Sequence, residues 1–408
     1  MLKRWGWTPP ATDRRIVGRK VRGLGWGAMT YLDYAATSPM RQCAIDAWRE
    51  HAGALNPGSQ YASGRKANAV LQEAREQIAE LLGADPVEVV FTGSGTEANN
   101  IGVRGLYAAS RARAGDAAPN RVVASTIEHP AVLESVRALE AAGADVAWLS
   151  AGRDGHVTDL TPLDAPAAVA TLMWANNESG AIQPVQDAAK RAAAHSTPLH
   201  VDAVQVVGKL SVDFHALGAT TLAASAHKFG GPRGTGILLA KRSPAPQPVI
   251  AGGGQERGIR SGTVDVASAA ATAAALAEAT EDMERERARI AMLRDDFANR
   301  VLREIPDAVL TTQEPALPGH AHFLFPGANA DAMIMLLDSR GIEVSTGSAC
   351  AAGVTRFSHV VEAMGYTEAE GGGALRVTLG EGTVQGDVDK LLLELPEVVR
   401  CARDVGLL

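Results

Sequence analysis

The side chains in this sequence best suited to covalent chemistry are one lysine and one cysteine. Lys228 closes the run Ser225-Ala226-His227-Lys228 and is followed by a turn-rich stretch, 229–232. The chain has only eight lysines and otherwise prefers arginine. A lysine amine can form a Schiff base with a carbonyl, whereas arginine is always protonated and cannot. The run therefore favours Lys228 as a nucleophile, although an isolated lysine is more often a solvated surface residue.

Cys350 lies in a run of small residues, 345–353, after a short apolar stretch. Such a segment is expected to pack poorly and to be mobile. A reactive cysteine needs exposure and a thiolate, whereas a structural one lies among bulky apolar neighbours. This setting favours a reactive thiol at Cys350. Cys43 and Cys401 sit in helical patterns and are expected to be core or surface residues without a chemical role.

Two further polar residues follow apolar runs of strand type. Asp202 ends one such run, and Gln205 comes three residues later. A buried carboxylate there needs a cationic or donor partner, but a strand-end aspartate often only caps the next turn. His129 follows the run 121–125. Its ring could stack on a ligand and exchange protons near neutral pH, or it could simply cap a helix.

A glycine-rich stretch, 91–97, reads Phe-Thr-Gly-Ser-Gly-Thr-Glu and leads from a strand pattern into a helical pattern. Free backbone N–H groups and the positive end of the helix would bind a phosphate there. The alternative is a plain strand-to-helix turn with a threonine cap, because glycine-rich turns are common. The stretch is not a Walker loop, since no Gly-Lys-Ser/Thr follows it.

The elements that must position these residues form an alternating pattern. Short β-branched runs alternate with helical patterns, which is typical of βαβ units and a mostly parallel sheet. In such sheets ligands bind at the carboxyl ends of the strands, where the polar residues described above fall. We therefore expect an α/β fold with these side chains at one edge of the sheet. The predicted strands are 87–92, 121–125, 167–175, 198–202 and 221–225.

After the glycine-rich stretch 251–263 the pattern changes. One long helix is predicted from Ser268 to about Arg300, and the spacing of Glu281 and Arg285 predicts a solvated, salt-bridged face. Strands at 320–325 and 374–379, with helices near 330–340, 357–364 and 384–395, predict a smaller α+β domain. The expected boundaries are 46–262 for the large domain and 29–45 plus 263–408 for the small domain that carries the cysteine segment.

Length, charge and cysteine content limit the function class. At 408 residues the chain is long enough for two domains, and 46% hydrophobic with 21% charged residues is ordinary for a globular protein. A net charge of −7 argues against direct nucleic-acid binding. Three separated cysteines form no disulfide framework and no metal knuckle, so we expect a cytoplasmic protein without a metal site. The longest apolar stretch, 266–277, is too short to span a membrane.

Residues 1–28 are basic, with seven Lys or Arg residues against the single acid Asp13. They lack the apolar core of a secretory signal. A targeting or partner-binding arm is one interpretation. We favour a disordered extension or an upstream start codon, with Met29 opening the folded part.

Several motifs together resemble the cysteine desulfurases of the NifS and IscS type, which are fold type I enzymes dependent on pyridoxal 5'-phosphate (PLP) in the class V aminotransferase group. The resemblance covers residues 31 to about 395, and its motifs agree in order and spacing. They are 31–37 (Tyr-Leu-Asp-Tyr-Ala-Ala-Thr), Asn56-Pro57, Gly95-Thr96-Glu97, Glu128-His129, Asn176-Asn177-Glu178, Asp202 with Gln205, Ser225-Ala226-His227-Lys228, 252–263, Ser348-Ala349-Cys350 and Leu375-Arg376.

The resemblance implies a large PLP-binding domain with a mostly parallel, seven-stranded type of sheet flanked by helices. It also implies the residues around the cofactor ring. Lys228 resembles the lysine that bonds PLP covalently, and Asp202 the partner of the pyridinium nitrogen. Gln205 and Asn177 resemble the residues that contact the ring oxygen. His129 resembles the stacking acid or base.

The phosphate contacts implied by the resemblance are Gly95, Thr96, Ser225 and His227. Thr263 would join them from across the interface of a homodimer.

Arg376 and Asn56 resemble the pair that holds the carboxylate of the substrate, L-cysteine, and the planar fork of an arginine suits this role. The resemblance implies that the Cys350 thiolate takes the sulfur from L-cysteine and passes it to an acceptor protein. The chain length after Cys350 resembles the long-loop class, which supplies scaffolds and tRNA-thiolating enzymes. Tyr61, Ser179 and the segment 354–358 depart from the usual pattern, which leaves the acceptor open.

Three pathways stay open: iron–sulfur assembly, tRNA thiolation and DNA phosphorothioation. Two rival functions are another class V PLP enzyme, such as a selenocysteine lyase or aminotransferase, and a non-catalytic partner in sulfur transfer. Cys350 argues against an aminotransferase, which needs no thiol there. The presence of Lys228, Asp202 and Cys350 together argues against a chain that has lost activity.

Overall fold

The computed structural model describes residues 29–114, 119–347 and 357–406, so the predictions for residues 1–28 and for Cys350 lie outside the described residues. The described strands are β1 (Thr30–Tyr31), β2 (Val89–Thr92), β3 (Arg121–Ser125), β4 (Asp145–Leu149), β5 (Val169–Thr171), β6 (Leu199–Asp202), β7 (Thr221–Ser225), β8 (Gly236–Ala240), β9 (Val309–Leu310), β10 (His320–Leu324), β11 (Ile342–Glu343) and β12 (Ala374–Thr378).

The α-helices of the same residues follow in chain order. They are α1 (Gln42–His51), α2 (Ala62–Leu82), α3 (Gly95–Asn100), α4 (Leu106–Ala114), α5 (Pro130–Ala141), α6 (Val185–Ala194), α7 (Phe214–Leu217), α8 (Val266–Glu281), α9 (Met283–Glu304), α10 (Ala330–Ser339), α11 (His359–Ala363), α12 (Glu368–Gly371) and α13 (Gln385–Gly406). A π-helical turn, Ile101–Gly105, joins α3 to α4.

The largest sheet has seven strands in the order β2-β8-β7-β6-β5-β3-β4. Every pairing is parallel except the two that β8 makes with β2 and β7. The prediction of an α/β fold with a mostly parallel sheet is confirmed. The sequence analysis missed β4 and β8, which are both short: β4 has only four consecutive apolar residues, and β8 is a five-residue run behind a turn-rich stretch.

Both faces of this sheet are covered, so its strands are apolar on both sides. Alternate residues of β3 pack into different cores, because successive side chains of a strand point to opposite faces of the sheet. Val123 packs into a core with α2, α6 and α8, whereas Val122 and Ala124 pack with α4 and α5. The helices therefore hold the carboxyl ends of the strands in a fixed arrangement.

The predicted single helix from Ser268 to about Arg300 is wrong, because the structure has two helices, α8 and α9, that meet at Asp282. The two helices pack into different cores. Alanines of α8 lie against the cluster that contains Leu71 and Ile78, whereas Phe297 of α9 lies with the smaller sheet. The face of α9 is salt-bridged as predicted, but Arg285 pairs with Asp282.

The second part of the fold contains an antiparallel sheet, β12-β10-β9, and a short parallel pair, β1-β11. Its core includes Phe297, Phe323 and Leu375 and is separate from the cores around the large sheet. The predicted smaller α+β part is thus present. The exact domain boundaries stay a prediction. None of the helices in the described ranges combines the length and apolarity needed to cross a bilayer.

Candidate functional site

A cavity of about 590 Å³ lies at the carboxyl edge of the large sheet. The loops that follow β2, β3, β5, β6 and β7 open onto it, because these strands run in one direction. Residues of the smaller sheet and of the segments beside it line the opposite side. The cavity brings together ten of the predicted site residues: Gly95, Thr96, His129, Asn177, Asp202, Gln205, Ser225, His227, Lys228 and Arg376.

Asp202 is buried, and both of its carboxylate oxygens accept hydrogen bonds. Oδ1 accepts the N–H of Val204 at 2.9 Å, so the turn-capping interpretation is correct. Oδ2 accepts Nδ2 of Asn99 at 2.7 Å. Because the carboxylate also lines the cavity, capping and ligand binding are compatible roles for it.

Asn99 belongs to a buried network that the sequence analysis did not find. Its Oδ1 accepts Nε2–H of His200 at 2.9 Å, and His200 Nδ1 lies 2.9 Å from the Thr221 hydroxyl. Burial lowers the pKa of His200 to about 3, so the ring is neutral. Gly102 lets the π-helical turn pass over this ring, because a Cβ there would lie 2.2 Å from His200 Nδ1. The network fixes the orientation of Asp202 from behind.

Lys228 follows β7, next to the strand that ends in Asp202. Its Nζ donates to the carbonyl oxygens of Ala35 at 2.6 Å and Ala36 at 2.9 Å. Burial, and then the positive charge of Arg376, lowers the pKa of Lys228 to about 8. Depression of the pKa increases the share of neutral amine near neutral pH, and the neutral amine is the nucleophilic form.

His129 caps α5, as the alternative interpretation expected, and also lines the cavity. Its Nδ1 accepts the N–H of Ala131 at 3.1 Å. A neutral ring therefore carries its proton on Nε2. Burial lowers the pKa of His129, although the charge of Asp202 opposes this shift. The neighbouring Glu128 is fully buried, and burial followed by the charge of Asp202 raises its pKa to about 8.

The start of α3 forms the end of the cavity suited to an anion. The helix cap is Ser94, whose hydroxyl accepts the N–H of Glu97 at 3.1 Å, so the alternative of a threonine cap is wrong. The first N–H groups of a helix have no acceptor within the helix. Gly95 sits against β7, where a Cβ would lie 3.0 Å from the Cβ of Ser225. Gly95 and Thr96 both line the cavity, so the start of α3 lies at this end of it.

His227 completes this end of the cavity. Its Nδ1 lies 3.0 Å from the hydroxyl of Thr37. Burial, and then the charge of Lys228, lowers the pKa of His227 to about 4. A neutral ring at this position supplies a hydrogen bond without adding a charge.

Arg376 on β12 is buried and faces the cavity from the smaller sheet. Its Nη2 donates to Asp33 at 2.7 Å and its Nη1 donates to the carbonyl oxygen of Asn177 at 2.8 Å. Among the described residues Nε has no hydrogen-bond partner although it is buried. A guanidinium has five N–H donors in a fixed fork, so donors remain for a carboxylate. Asp33 was missed as a site residue because it lies 343 positions from Arg376.

Glu178 links both chain segments that flank the predicted cysteine segment. Its Oε2 accepts the hydroxyl of Ser358 at 2.6 Å, and a Cβ on Gly347 would lie 3.1 Å from its side chain. Burial raises the pKa of Glu178. Gly347 and Ser358 both line the cavity.

Three predicted site residues are not among the described residues that line the cavity. Cys350 lies outside the described part of the chain. Asn56 is exposed and its Oδ1 accepts the N–H of Gly58 at 2.8 Å. Thr263 is also exposed. The roles assigned to Asn56 and Thr263 stay predictions, as do those of the ten residues that line the cavity.

The residues of this cavity fit PLP. The start of α3 suits its phosphate, Asp202 offers a buried anion for a cationic ring nitrogen, and Lys228 offers an amine of lowered pKa. Asp202 accepts two hydrogen bonds from within the protein and also lines the cavity, so a cationic ring nitrogen has an acceptor there. The cavity therefore offers a partner for a cationic ring nitrogen and a partner for a phosphate.

Comparisons with known proteins agree with this geometry. The family model of aminotransferase class-V matches residues 30–391. An IscS-like cysteine desulfurase from Mycobacterium tuberculosis is 46% identical over 390 residues, which cover 93% of this chain and 98% of the relative. A solved NifS-like protein matches with a TM-score of 0.83 at 30% identity, covering 91% of this chain and all of that chain.

A second solved structure, described as SspA in complex with cysteine, matches with a TM-score of 0.74 at 29% identity. It covers 87% of this chain and 99% of its own. The family model spans most of this chain, and the IscS-like relative aligns over nearly its whole length. The chain therefore belongs to the aminotransferase class-V family.

Proposed function

We propose that this chain is a PLP-dependent cysteine desulfurase that converts L-cysteine to L-alanine and holds the sulfur as a persulfide on Cys350. The observation that carries the proposal is the convergence of Lys228, Asp202, His129 and Arg376 on one cavity. The relative from Mycobacterium tuberculosis bears the name of this activity, and the solved SspA is described as bound to cysteine.

In this proposal the protein divides the binding of PLP among separate groups. Lys228 bonds it, Asp202 pairs with its ring nitrogen, and Gln205 and Asn177 contact its ring oxygen. Gly95, Thr96, Ser225 and His227 hold its phosphate. When bound, PLP supplies an electron-withdrawing ring that acidifies the Cα–H of the substrate amino acid.

Arg376 is positioned to select an amino-acid substrate by its carboxylate. Its contacts with Asp33 and the carbonyl oxygen of Asn177 fix the guanidinium plane and use two of its five N–H donors, so others remain for a ligand. A rigid arginine holds a carboxylate with two parallel hydrogen bonds. Asn56 is proposed to assist. We propose that this grip orients the side chain of L-cysteine toward Gly347 and Ser358, which line the opposite rim of the cavity.

Two groups can move protons in the cavity. Lys228 titrates near pH 8 and can exchange a proton with the substrate amine or Cα. His129 is neutral, with its Nδ1 held by a backbone N–H, so that Nε2 is the nitrogen free for exchange. Burial lowers the pKa of His129, so the ring stays neutral and offers its Nε2–H as the donor in this exchange.

The sulfur transfer balances without an external oxidant or reductant. The Cys350 thiolate attacks the sulfur of L-cysteine, the carbon–sulfur bond breaks, and the carbon side retains the electron pair and takes up a proton to become alanine. Cys350 then carries one additional sulfur, and an acceptor protein with a thiol can remove it. Cys350 is the nucleophile in this account, as in the resemblance.

Assembly and location are part of the proposal. We propose a homodimer in which Thr263 reaches the phosphate site of the partner, which agrees with the exposure of Thr263 on its own subunit. A cytoplasmic location agrees with the three separated cysteines. The sulfur acceptor is an iron–sulfur scaffold, a tRNA-thiolation protein or another sulfur-transfer protein.

The test is to incubate the PLP-loaded protein with L-cysteine and a reducing thiol and to quantify alanine. The variant Cys350→Ala should bind PLP and cysteine as the wild type does but form almost no alanine. Cys401→Ala is the matched control, because Cys401 is a free, partly exposed helical cysteine outside the cavity, and it should retain full activity.

Two results would contradict the proposal in different ways. Full alanine production by the Cys350→Ala variant would remove the thiolate role and favour another class V enzyme. Failure of the wild-type protein to take up PLP would remove the whole assignment.

A further inference from the structure

A second cavity, of about 490 Å³, lies behind the first one, and Lys228 lines both. Its lining includes Lys209, which sequence analysis did not single out and which the proposed reaction does not use. The Lys209 Nζ donates to Oε1 of Gln205 at 3.2 Å. Burial, and then the positive charges of Lys228 and Arg376, lowers the pKa of Lys209 to about 7. Lys209 therefore contacts, from outside, a side chain that lines the active cavity.

The contact with Lys209 decides which way the Gln205 amide faces. Gln205 Nε2 donates to the carbonyl oxygen of Ala35 at 2.9 Å, while Oε1 accepts from Lys209. An ammonium group can only donate and a carbonyl oxygen can only accept. A flipped amide would place two oxygens against each other at Ala35 and two donors against each other at Lys209. The carbonyl oxygen of Ala35 therefore fixes the amide orientation, and Lys209 reinforces this orientation in its ammonium form.

This orientation determines what Gln205 offers to the cavity. An amide nitrogen carries two N–H donors, and Ala35 takes one of them. The oxygen is engaged by Lys209 on the side of the second cavity. Gln205 is thus left with an N–H donor, which is the group that a ring oxygen of PLP would accept.

The same carbonyl oxygen ties Gln205 to Lys228. Ala35 accepts from Gln205 Nε2 and from Lys228 Nζ, so the amide and the reactive amine share one acceptor. Rotation of the amide would remove one of these donors and place an oxygen beside this acceptor. The placement of Gln205 therefore also affects the surroundings of Lys228.

We propose that Lys209 is a positioning residue, which holds the Gln205 amide with its N–H toward the ring oxygen of PLP. Lys209 acts through Gln205 and does not itself contact the cofactor. The inference rests on the proposed function in taking PLP as the ligand of the first cavity and Gln205 as a partner of its ring oxygen.

The test compares apo-protein variants titrated with PLP. The readouts are the dissociation constant of PLP and the visible absorption spectrum of the bound cofactor across pH. Lys209→Met removes the donor but keeps the apolar length of the side chain, and Lys209→Arg keeps a donor. The second cavity leaves room for the longer arginine. Lys241→Met is the matched control, because Lys241 Nζ also donates to one neutral carbonyl oxygen, that of Gly218 at 3.0 Å, but at an exposed site.

Lys209→Met is expected to weaken PLP binding about 3- to 10-fold, the range that follows from the loss of one hydrogen bond. It should also shift the pH at which the bound cofactor changes colour, because the ring oxygen loses an oriented donor. Lys209→Arg should restore most of both properties. Lys241→Met should match the wild type.

A double-variant comparison separates orientation from general stability. With Gln205→Leu already in place, adding Lys209→Met should change neither the affinity for PLP nor the spectrum any further, because the amide is gone. The inference is wrong if Lys209→Met changes PLP binding equally in the wild-type protein and in the Gln205→Leu variant. It is also wrong if Lys209→Met has no effect in the wild-type protein. If the wild-type protein does not bind PLP, the proposed function fails instead, so the two failures are distinguishable.

Discussion

The two sides of the active cavity are built in different ways. We call one side the sheet wall. Its residues end strands of the large sheet or follow them closely, and they are 94–96, His129, Asp202 and 225–228. We call the other side the opposite rim, and it comprises Ser345, Gly347, Ser358 and Arg376. This rim depends on contacts between distant parts of the chain. Arg376 pairs with Asp33 across 343 positions, and Ser358 pairs with Glu178 across 180.

This difference assigns separate tasks to the two sides. Hydrogen bonds within the protein position the sheet wall, since Asp202, His129 and Ser94 each have a partner in the large-sheet part of the fold. The opposite rim keeps an unpaired buried donor, Nε of Arg376. We therefore expect substitutions in the sheet wall to affect PLP, and substitutions in the opposite rim to affect L-cysteine.

The largest effect is expected for Asp202→Asn, which removes the anion of the sheet wall but keeps its shape. Cysteine turnover should fall by about two to three orders of magnitude, as for truncation of a buried charge pair. The absorption spectrum of bound PLP should change as well, because the ring nitrogen loses its partner. Asp145→Asn is the control, since Asp145 is exposed at the start of β4. An unchanged spectrum would break the distinction between the two sides.

The opposite rim is tested by Arg376→Lys, which keeps the charge but loses the planar fork. The KM for L-cysteine should rise about 10- to 100-fold, the range for a lost hydrogen bond to a charged group, while PLP affinity stays unchanged. Steady-state kinetics and a PLP titration measure the two quantities. Arg285→Lys is the control, because the Arg285 side chain is exposed on the surface of α9. Loss of PLP with an unchanged KM would place Arg376 with the sheet wall.

Asn99→Leu tests the buried network behind the sheet wall. The leucine leaves Asp202 Oδ2 and His200 Nε2 without their partner. PLP affinity should fall about 10-fold, and the free energy of unfolding should fall by about 1–3 kcal/mol because buried polar groups lose their bonds. PLP titration and urea unfolding measure both. A loss of stability with unchanged PLP affinity would show that the network supports the fold alone.

The smallest effect is expected for Ser358→Ala. The serine caps α11 through the N–H groups of Val360 and Val361 and donates to Glu178. Its loss should lower the free energy of unfolding by about 1–2 kcal/mol, as for a lost helix cap. Alanine formation should fall only a few-fold, and PLP affinity should not change. Ser358→Thr retains the hydroxyl and is the matched control, so a thermal shift equal to that of Ser358→Ala would contradict this role.

The sequence predicted the sheet wall well because the wall is local. Lys228, Asp202 and His129 each follow an apolar strand pattern, and parallel strands bring such positions to one edge. The alternative interpretations, turn capping by Asp202 and helix capping by His129, are compatible with a place in the cavity. Asp202 caps a turn and His129 caps a helix, yet both line the cavity.

The contacts behind the wall and on the rim could not be predicted in the same way. Asn99 lies two residues after the motif Gly95-Thr96-Glu97, and its partners Asp202 and His200 are more than 100 positions away. Lys209 lies only four residues from Gln205, but the carbonyl oxygen of Ala35 that holds the other end of the amide is 170 positions away. The break between α8 and α9 arises because the two helices pack into different cores. Such features depend on tertiary packing, which no local pattern records.

The account depends most directly on which lysine bonds PLP. The two cavities offer two candidates of lowered pKa, Lys228 and Lys209. Reduction of the PLP-loaded protein with borohydride, followed by digestion and mass spectrometry of the peptides, locates the bond. The pyridoxyl group is predicted on the peptide that contains Lys228. Its recovery on Lys209, or on no lysine of the cavity, would contradict the account.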